Sequence, residues 1–296
     1  MGLEHVLDAA SVAVVGASKK ETKRGYQAIK TLIEEKFEGR IYPVNPKEES
    51  ILGLPCYAKV SDIEDPVEMV LITTPATTTP EILEDCGKKG VAGAVIIAGG
   101  FGELGKRGEA TGRPDRGNAR KTHPDHWPKY LRHDESQKNL NLVGLRHVPK
   151  GRIALLCQSG NMALSLITEA SIKSQQGFSY YVGIGNEADL KFHEYLEFFQ
   201  EDPGTTAILM YVEGMRDGRK FLQQAYQTTR KKPIVMLKSG RSATGKLSAG
   251  SHTGALAGIS EVAKTAFKRA GIIVIENSDE LFSCCRNLGQ PPPYRK

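Results

Sequence analysis

The residues best placed to do chemistry lie in Lys246-Leu247-Ser248-Ala249-Gly250-Ser251-His252-Thr253-Gly254-Ala255-Leu256-Ala257-Gly258. One histidine sits there among small residues, between a strand expected over Ile234 to Lys238 and a helix expected over Ser260 to Ala270. Glycines at 250, 254 and 258 free the backbone for positive φ and for movement. A neutral imidazole in such a loop could act as a nucleophile and carry a group between two places. The plainer reading is a turn histidine that hydrogen-bonds its own loop. Two further groups fall at comparable points of the chain. Glu213 follows a strand expected over Thr206 to Val212, and a carboxylate beside an imidazole fixes its tautomer and raises its basicity. Gln158-Ser159-Gly160-Asn161 opens a helix whose first amides, with the Ser159 hydroxyl, would form an anion site.

The elements that must position these groups alternate. From Arg152 onward, strands at Ile153 to Cys157, near Tyr181, at Thr206 to Val212, Ile234 to Lys238 and Ile272 to Ile275 are separated by helical stretches. Ser159, Glu213 and His252 would then share one edge of a parallel sheet. The first third of the chain repeats the pattern with strands at Ser11 to Val15, Arg40 to Val44, Met69 to Ile72 and Val91 to Ala98. Alternation of this kind predicts doubly wound α/β domains, with ligands beyond the carboxyl ends of the strands. The residues at those ends are Gly16, Ser18 and Arg24, then Asn45 and Lys47, Thr74 and Pro75, and Gly100. They are small, kinked or polar, as a nucleotide-bearing ligand requires. The glycine fingerprint is incomplete, since Gly16 is followed only much later by Gly25. Lys47 stands where an acid would hold the ribose of NAD, which favours a phosphorylated ribose: coenzyme A, with its 3′-phosphate, or NADP.

Composition narrows the classes. At 296 residues the chain suggests about two domains. We expect no bilayer-spanning segment, signal peptide or myristoylation site. Cys56, Cys86, Cys157, Cys284 and Cys285 are scattered without metal-ligand spacing, so we expect no metal site and a reducing, cytoplasmic setting. The formal charge of +6 is local: residues 105–150 hold eleven Lys/Arg against five Asp/Glu, leaving 29 of each elsewhere. With no basic face interleaved with aromatics, nucleic acid is not expected as a partner.

The strings Ser251-His252-Thr253-Gly254-Ala255-Leu256-Ala257-Gly258, Gln158-Ser159-Gly160-Asn161 and Tyr42-Pro43-Val44-Asn45-Pro46-Lys47 resemble the α part of the ADP-forming acyl-CoA synthetases, relatives of succinyl-CoA synthetase. The resemblance covers roughly residues 8–104 and 151–290. It implies a Rossmann-like CoA-binding domain (1–104), a flavodoxin-like phosphohistidine domain (151–290) and a linker remnant (291–296), both domains having parallel sheets. It implies the reaction of a carboxylic acid, CoA and ATP to acyl-CoA, ADP and phosphate. His252 would be phosphorylated, Glu213 would orient it, and Ser159, Gly160 and Asn161 would hold the phosphate. Gly16, Ser18, Arg24, Asn45, Lys47, Thr74, Pro75 and Gly100 would bind coenzyme A. ATP/ADP and magnesium would be handled by an ATP-grasp part, nothing like which occurs in this sequence. A partner β subunit or further domains of a longer chain are therefore expected. Readings from other classes are a CoA- or nucleotide-sensing module without chemistry, and an NADP-dependent oxidoreductase.

Residues 105 to about 135 fit no such pattern. They carry the only Trp and three of the seven His, with no amphipathic period. At this point the family would give a helix, then a strand ending in Gly-Pro-Asn, a small residue, Leu and Gly. His126-Trp127-Pro128-Lys129-Tyr130-Leu131-Arg132 stands there instead, and its codons read one base later can encode Ile-Gly-Pro-Asn-Thr-Leu-Gly. The Gly follows from the Trp and Pro codons; the others depend on third-base choices. The expectation is an out-of-frame segment that deprives the first domain of a strand; a genuine basic insertion is the alternative. A metal site at His123, His126 and His133 is the weaker reading, because no ordered scaffold is expected to present them. Sequencing the coding DNA across Leu104 to Asn141 should reveal compensating one-base shifts. A gene that confirms the frame throughout would establish an insertion.

Overall fold

The structure is a computed structural model. It describes residues 3–97, 129–131, 139–142, 148–174, 177–185, 187, 189–239, 261–277, 280–281 and 284. The chain forms two compact units, residues 1–147 and 148–296.

The first unit is built on five parallel strands: β1 (Ser11–Val15), β2 (Arg40–Val44), β5 (Met69–Ile72), β6 (Gly93–Ile96) and β7 (Lys129–Leu131), in the order β2-β1-β5-β6-β7. A two-stranded hairpin, β3 (Ser50–Ile51) with β4 (Leu54–Pro55), forms a separate small sheet beside β2. The helices are α1 (Glu4–Leu7), α2 (Arg24–Glu34) and α3 (Thr79–Lys89).

β1 and β5 are buried at every position, which is why they read as unbroken apolar runs and not as alternating ones. Ala13, Val15, Val70 and Ile72 pack in one cluster with Leu83 and Cys86 of α3. In α2 the buried Ala28, Ile29 and Leu32 recur at helical spacing. Pro43 is accommodated because β2 is the outermost strand of its sheet. On that outer side, its carbonyl accepts from Tyr57 N at 3.0 Å. Pro80 sits in the first turn of α3, where a missing N–H costs nothing.

One expectation is corrected here. The segment read as lacking a strand supplies β7, which pairs Lys129, Tyr130 and Leu131 with Gly93, Ala94 and Val95 of β6. Main-chain pairing at the rim of a sheet asks only for an extended backbone, so it tolerates a sequence without the family's pattern. Further along, Asn139 Nδ2 donates to the Lys36 carbonyl at 3.3 Å, tying the chain to the end of α2.

The second unit also has five parallel strands: β8 (Lys150–Cys157), β9 (Phe178–Gly183), β10 (Ala207–Val212), β11 (Ile234–Lys238) and β12 (Ile273–Ile275), ordered β12-β11-β10-β8-β9. Its helices are α4 (Gly160–Glu169), continued by a π-helical turn at Ala170–Ser174, then α5 (Phe192–Glu201), α6 (Gly218–Thr228) and α7 (Glu261–Arg269). Phe192, Phe221 and Phe267 join α5, α6 and α7 through edge-on ring contacts with centroids 6.2 and 5.9 Å apart. Tyr180 of β9 meets Phe198 of α5 edge-on and Phe199 at a tilt.

Numbered by their order in the chain, both five-stranded sheets run 2-1-3-4-5, the second common doubly wound arrangement. The chain reverses direction between β1 and β5 in one sheet, and between β8 and β10 in the other. Phe199 is fully buried against two aromatic rings. Phe199→Ala should lower the unfolding free energy of the second unit by about 3–5 kcal/mol in denaturant titration.

Candidate functional site

In the first unit the reversal point is built from very close backbone contacts. Gly16 follows β1 with φ +84°, and a Cβ there would lie 2.7 Å from Thr73 Oγ1 and 2.9 Å from Thr74 Cγ2. Gly25, at the start of α2, is held so near that its Cβ would lie 2.3 Å from the Gly16 carbonyl oxygen. Gly25 thus performs the close helix-to-strand packing that the third glycine of a dinucleotide fingerprint performs, across a longer loop. The incomplete spacing in the sequence concealed this pairing.

Asn45 ties the loops after β1 and β2 together. Its Nδ2 donates to the Ala17 carbonyl at 2.7 Å, and its Oδ1 accepts from Lys47 N at 3.0 Å. Lys19 and Glu48 join the same two loops by an ion pair of 2.8 Å, and the Glu48 carboxylate raises the pKa of the lysine. Thr73 was not singled out in the sequence, yet its N and Oγ1 both donate to the Val15 carbonyl at 2.9 Å. Ser18 Oγ accepts from Lys20 N at 3.1 Å, and Thr74 Oγ1 accepts from Thr78 Oγ1 at 2.9 Å.

Gly16, Asn45, Thr74 and Pro75 therefore converge on the carboxyl ends of β1, β2 and β5. Ser18, Arg24 and Lys47 stand on the same loops; Arg24 and Lys47 are exposed. Gly100 lies outside the described residues. A side chain is excluded at Gly16 and at Gly25, so the backbone after β1 and the start of α2 approach closely, as the glycines of a dinucleotide-binding turn allow.

In the second unit, Ser159 caps α4: its Oγ accepts from Met162 N at 3.4 Å, which leaves its own O–H to donate. Gly160 and Asn161 are exposed in the first turn, where amide N–H groups have no intrahelical acceptor. Cys157, just before this turn, is fully buried, and burial pushes its thiol up to about 12. Glu213 is half-buried after β10, across the reversal point from Ser159. His252 lies outside the described residues.

Three residues at this edge carry roles that sequence reasoning did not assign. Gln158 accepts with Oε1 from the main-chain N–H groups of Glu213 and Gly214. Glu187 accepts from Phe192 N at 3.2 Å and Arg216 N at 2.9 Å. Lys238 donates to the Glu213 carbonyl, and burial lowers its pKa against the opposing pull of the Glu213 charge. A lysine closing the apolar run Ile234-Val235-Met236-Leu237 was the one sequence signal of a buried cation.

Comparison with known proteins finds relatives of both units. Residues 10–134 match the CoA binding domain family, and residues 150–288 match the succinyl-CoA ligase like flavodoxin domain family. The chain is 41% identical over 298 residues to the α subunit of acetate–CoA ligase (ADP-forming) I of Pyrococcus furiosus, with 99% of this chain and 64% of the relative covered. It is 36% identical to the α subunit of ligase II of that organism, covering 98% and 64%. The structure superposes with TM-score 0.90 at 33% identity on an acetyl-coenzyme A synthetase 1 of Ca. Korarchaeum cryptofilum solved with phosphate and ADP, covering 99% of this chain and 64% of that one. The chain thus spans just under two thirds of the length of these relatives.

Gly25→Ala should disrupt the first reversal point, because the added methyl meets main chain and not a movable side chain. Calorimetry should show CoA binding weakened at least about 10-fold. The chain thus matches a CoA binding domain family and a succinyl-CoA ligase like flavodoxin domain family, in that order, and is similar over nearly its whole length to the α subunits of ADP-forming acetate–CoA ligases.

Proposed function

We propose that this chain is the α portion of an NDP-forming acyl-CoA ligase, converting a small carboxylic acid, CoA and ATP to acyl-CoA, ADP and phosphate through a phosphorylated His252. The observation that carries this reading is the edge of the second sheet, where the capped start of α4 and the Glu213 carboxylate face one reversal point. A helix start with donors to spare can stabilise a phosphoryl dianion, and a carboxylate can orient an imidazole.

In this reading the glycine-rich segment around His252 carries the imidazole to a phosphoryl donor and back. Glu213 accepts from one ring nitrogen, so that the other presents its lone pair to phosphorus. The N–P bond forms as the bond from phosphorus to its former oxygen breaks, and the leaving oxygen takes the electron pair. The Ser159 hydroxyl and the amides of Gly160 and Asn161 hold the phosphoryl oxygens while the link exists. CoA supplies the thiol that captures the acyl group as thioester. Gly16, Ser18, Arg24, Asn45, Lys47, Thr74, Pro75 and Gly100 would hold it, with Lys47 and Arg24 matching its phosphates.

No group of three or more His, Cys, Asp or Glu suited to a metal occurs among the described residues. The reading gives ATP and magnesium to an ATP-grasp part, as a β subunit or as further domains. It also places the assembly in the cytoplasm, where ATP and CoA are available. No helix among the described residues is long and apolar enough to cross a membrane.

Mixing the chain with an ATP-grasp partner, labelled ATP, CoA and acetate should label the protein in an acid-labile, base-stable linkage. His252→Asn should abolish both label and acyl-CoA formation. Ligation that persists in His252→Asn would overturn the mechanism. CoA binding without ligation would favour the sensing reading, and tight NADPH binding without CoA binding would favour the oxidoreductase.

A further inference from the structure

The turn after β10 is fastened from three neighbouring elements by buried polar side chains. Gln158, at the end of β8 and 8% exposed, accepts from the N–H groups of Glu213 and Gly214. Glu187, in the loop after β9 and 2% exposed, accepts from Arg216 N at 2.9 Å while its other oxygen accepts from Phe192 N at 3.2 Å. Lys238, the last residue of β11 and 8% exposed, donates to the carbonyls of Glu213 and Ser239. Glu187 also holds a φ of +50°, a conformation rare for a residue with a side chain. Burying charged groups beside main chain costs stability that a fold does not give up without return.

The fold alone does not require these groups. The first sheet has the same strand order, and its corresponding turn, after β5, is held by Thr73 N and Oγ1 on the Val15 carbonyl and by Thr78 Oγ1 on the Pro75 carbonyl. No charged side chain bonds that turn among the described residues. Of these two corresponding turns, only the one that carries Glu213 is bonded by charged side chains among the described residues.

We infer that Gln158, Glu187 and Lys238 are positioning residues that fix the main chain carrying Glu213, so that its carboxylate is presented in one orientation to the histidine proposed to be phosphorylated. The inference rests on the proposed role of His252 and Glu213. It has a physical rationale: a carboxylate fixes the tautomer and orientation of an imidazole only if the carboxylate is itself held in place. Misplacement of about 1 Å can cost 10²-fold in rate.

The test uses the complete ligase assembly. Gln158→Leu, Glu187→Gln and Lys238→Met should each lower the rate of His252 phosphorylation about 10- to 100-fold. The dissociation constant for CoA should change by less than about 2-fold, since CoA is assigned to the other domain. Lys238→Arg, which can still donate to two carbonyls, should recover most of the rate. In a Glu213→Gln background, Lys238→Met should cause no further loss, because its effect runs through Glu213. Normal phosphorylation in all three variants, or losses that multiply with Glu213→Gln, would overturn the inference. Should Gln158→Leu fail to fold, the Lys238 pair and the double variant decide alone. Turnover that survives His252→Asn would remove the reading on which the inference stands, and that control is read independently of the other variants.

Discussion

A parallel sheet leaves main-chain groups exposed where two adjacent strands send their chains to opposite faces, and the rest of this molecule depends on how those groups are used. Between β1 and β5 the Val15 carbonyl is taken by Thr73, on the β2 side the Val44 carbonyl is taken by Gly16 N, and no space remains for a side chain at residues 16 or 25. Between β8 and β10, a glutamine side chain spans the gap and takes two amides of the opposite turn. One edge is closed by removing atoms, the other by inserting polar ones. The first result suits a ligand that approaches backbone; the second suits a carboxylate that must stay fixed.

That difference accounts for much of the chemistry assigned to each half. A phosphate-rich ligand is held by many weak, directed donors, and a glycine-lined turn presents them without steric cost. Phosphoryl transfer to an imidazole asks for a defined tautomer and a stabilised anion, which a helix start and a nearby carboxylate can provide. The aromatic contacts between Phe192, Phe221 and Phe267 link α5, α6 and α7, the helices that precede or follow the strands carrying the second site.

Most of the fold was legible in the residues. β5 and β11 have the bounds that their apolar runs suggest, because strands buried on both faces admit little else, and the edge strand β2 also has its expected bounds. β8 proved longer than its apolar part, extending back to Lys150, since pairing with β9 does not depend on burial. β6 proved shorter, Gly93–Ile96 against the expected 91–98. β7 was illegible for the reason that makes rim strands hard to read: the backbone, and not the side chains, satisfies the pairing.

The sites were legible as strand-end residues but not as contacts. Ser159, Glu213, Asn45 and Gly16 could be named from position alone, whereas the partners that fix them, Gln158, Glu187, Lys238, Ala17 and Thr73, are set by which strands become neighbours. Sequence distance hides these pairs, since Gln158 and Glu213 are 55 residues apart. His252 and Gly100 lie outside the described residues, so their places in the sites remain part of the proposal.

The burial of Cys157 has a chemical consequence. A protein that makes thioesters has to keep its own sulfur from competing for the acyl group. Thiolate, and not thiol, is the nucleophile, and burial keeps this group in the thiol form at neutral pH. Cys86, raised likewise to about 12 by burial, is equally inert. In the ligase reading, the thiol nearest the phosphate-holding turn is chemically silent, and the acyl group has no sulfur in that wall of the site to be lost to.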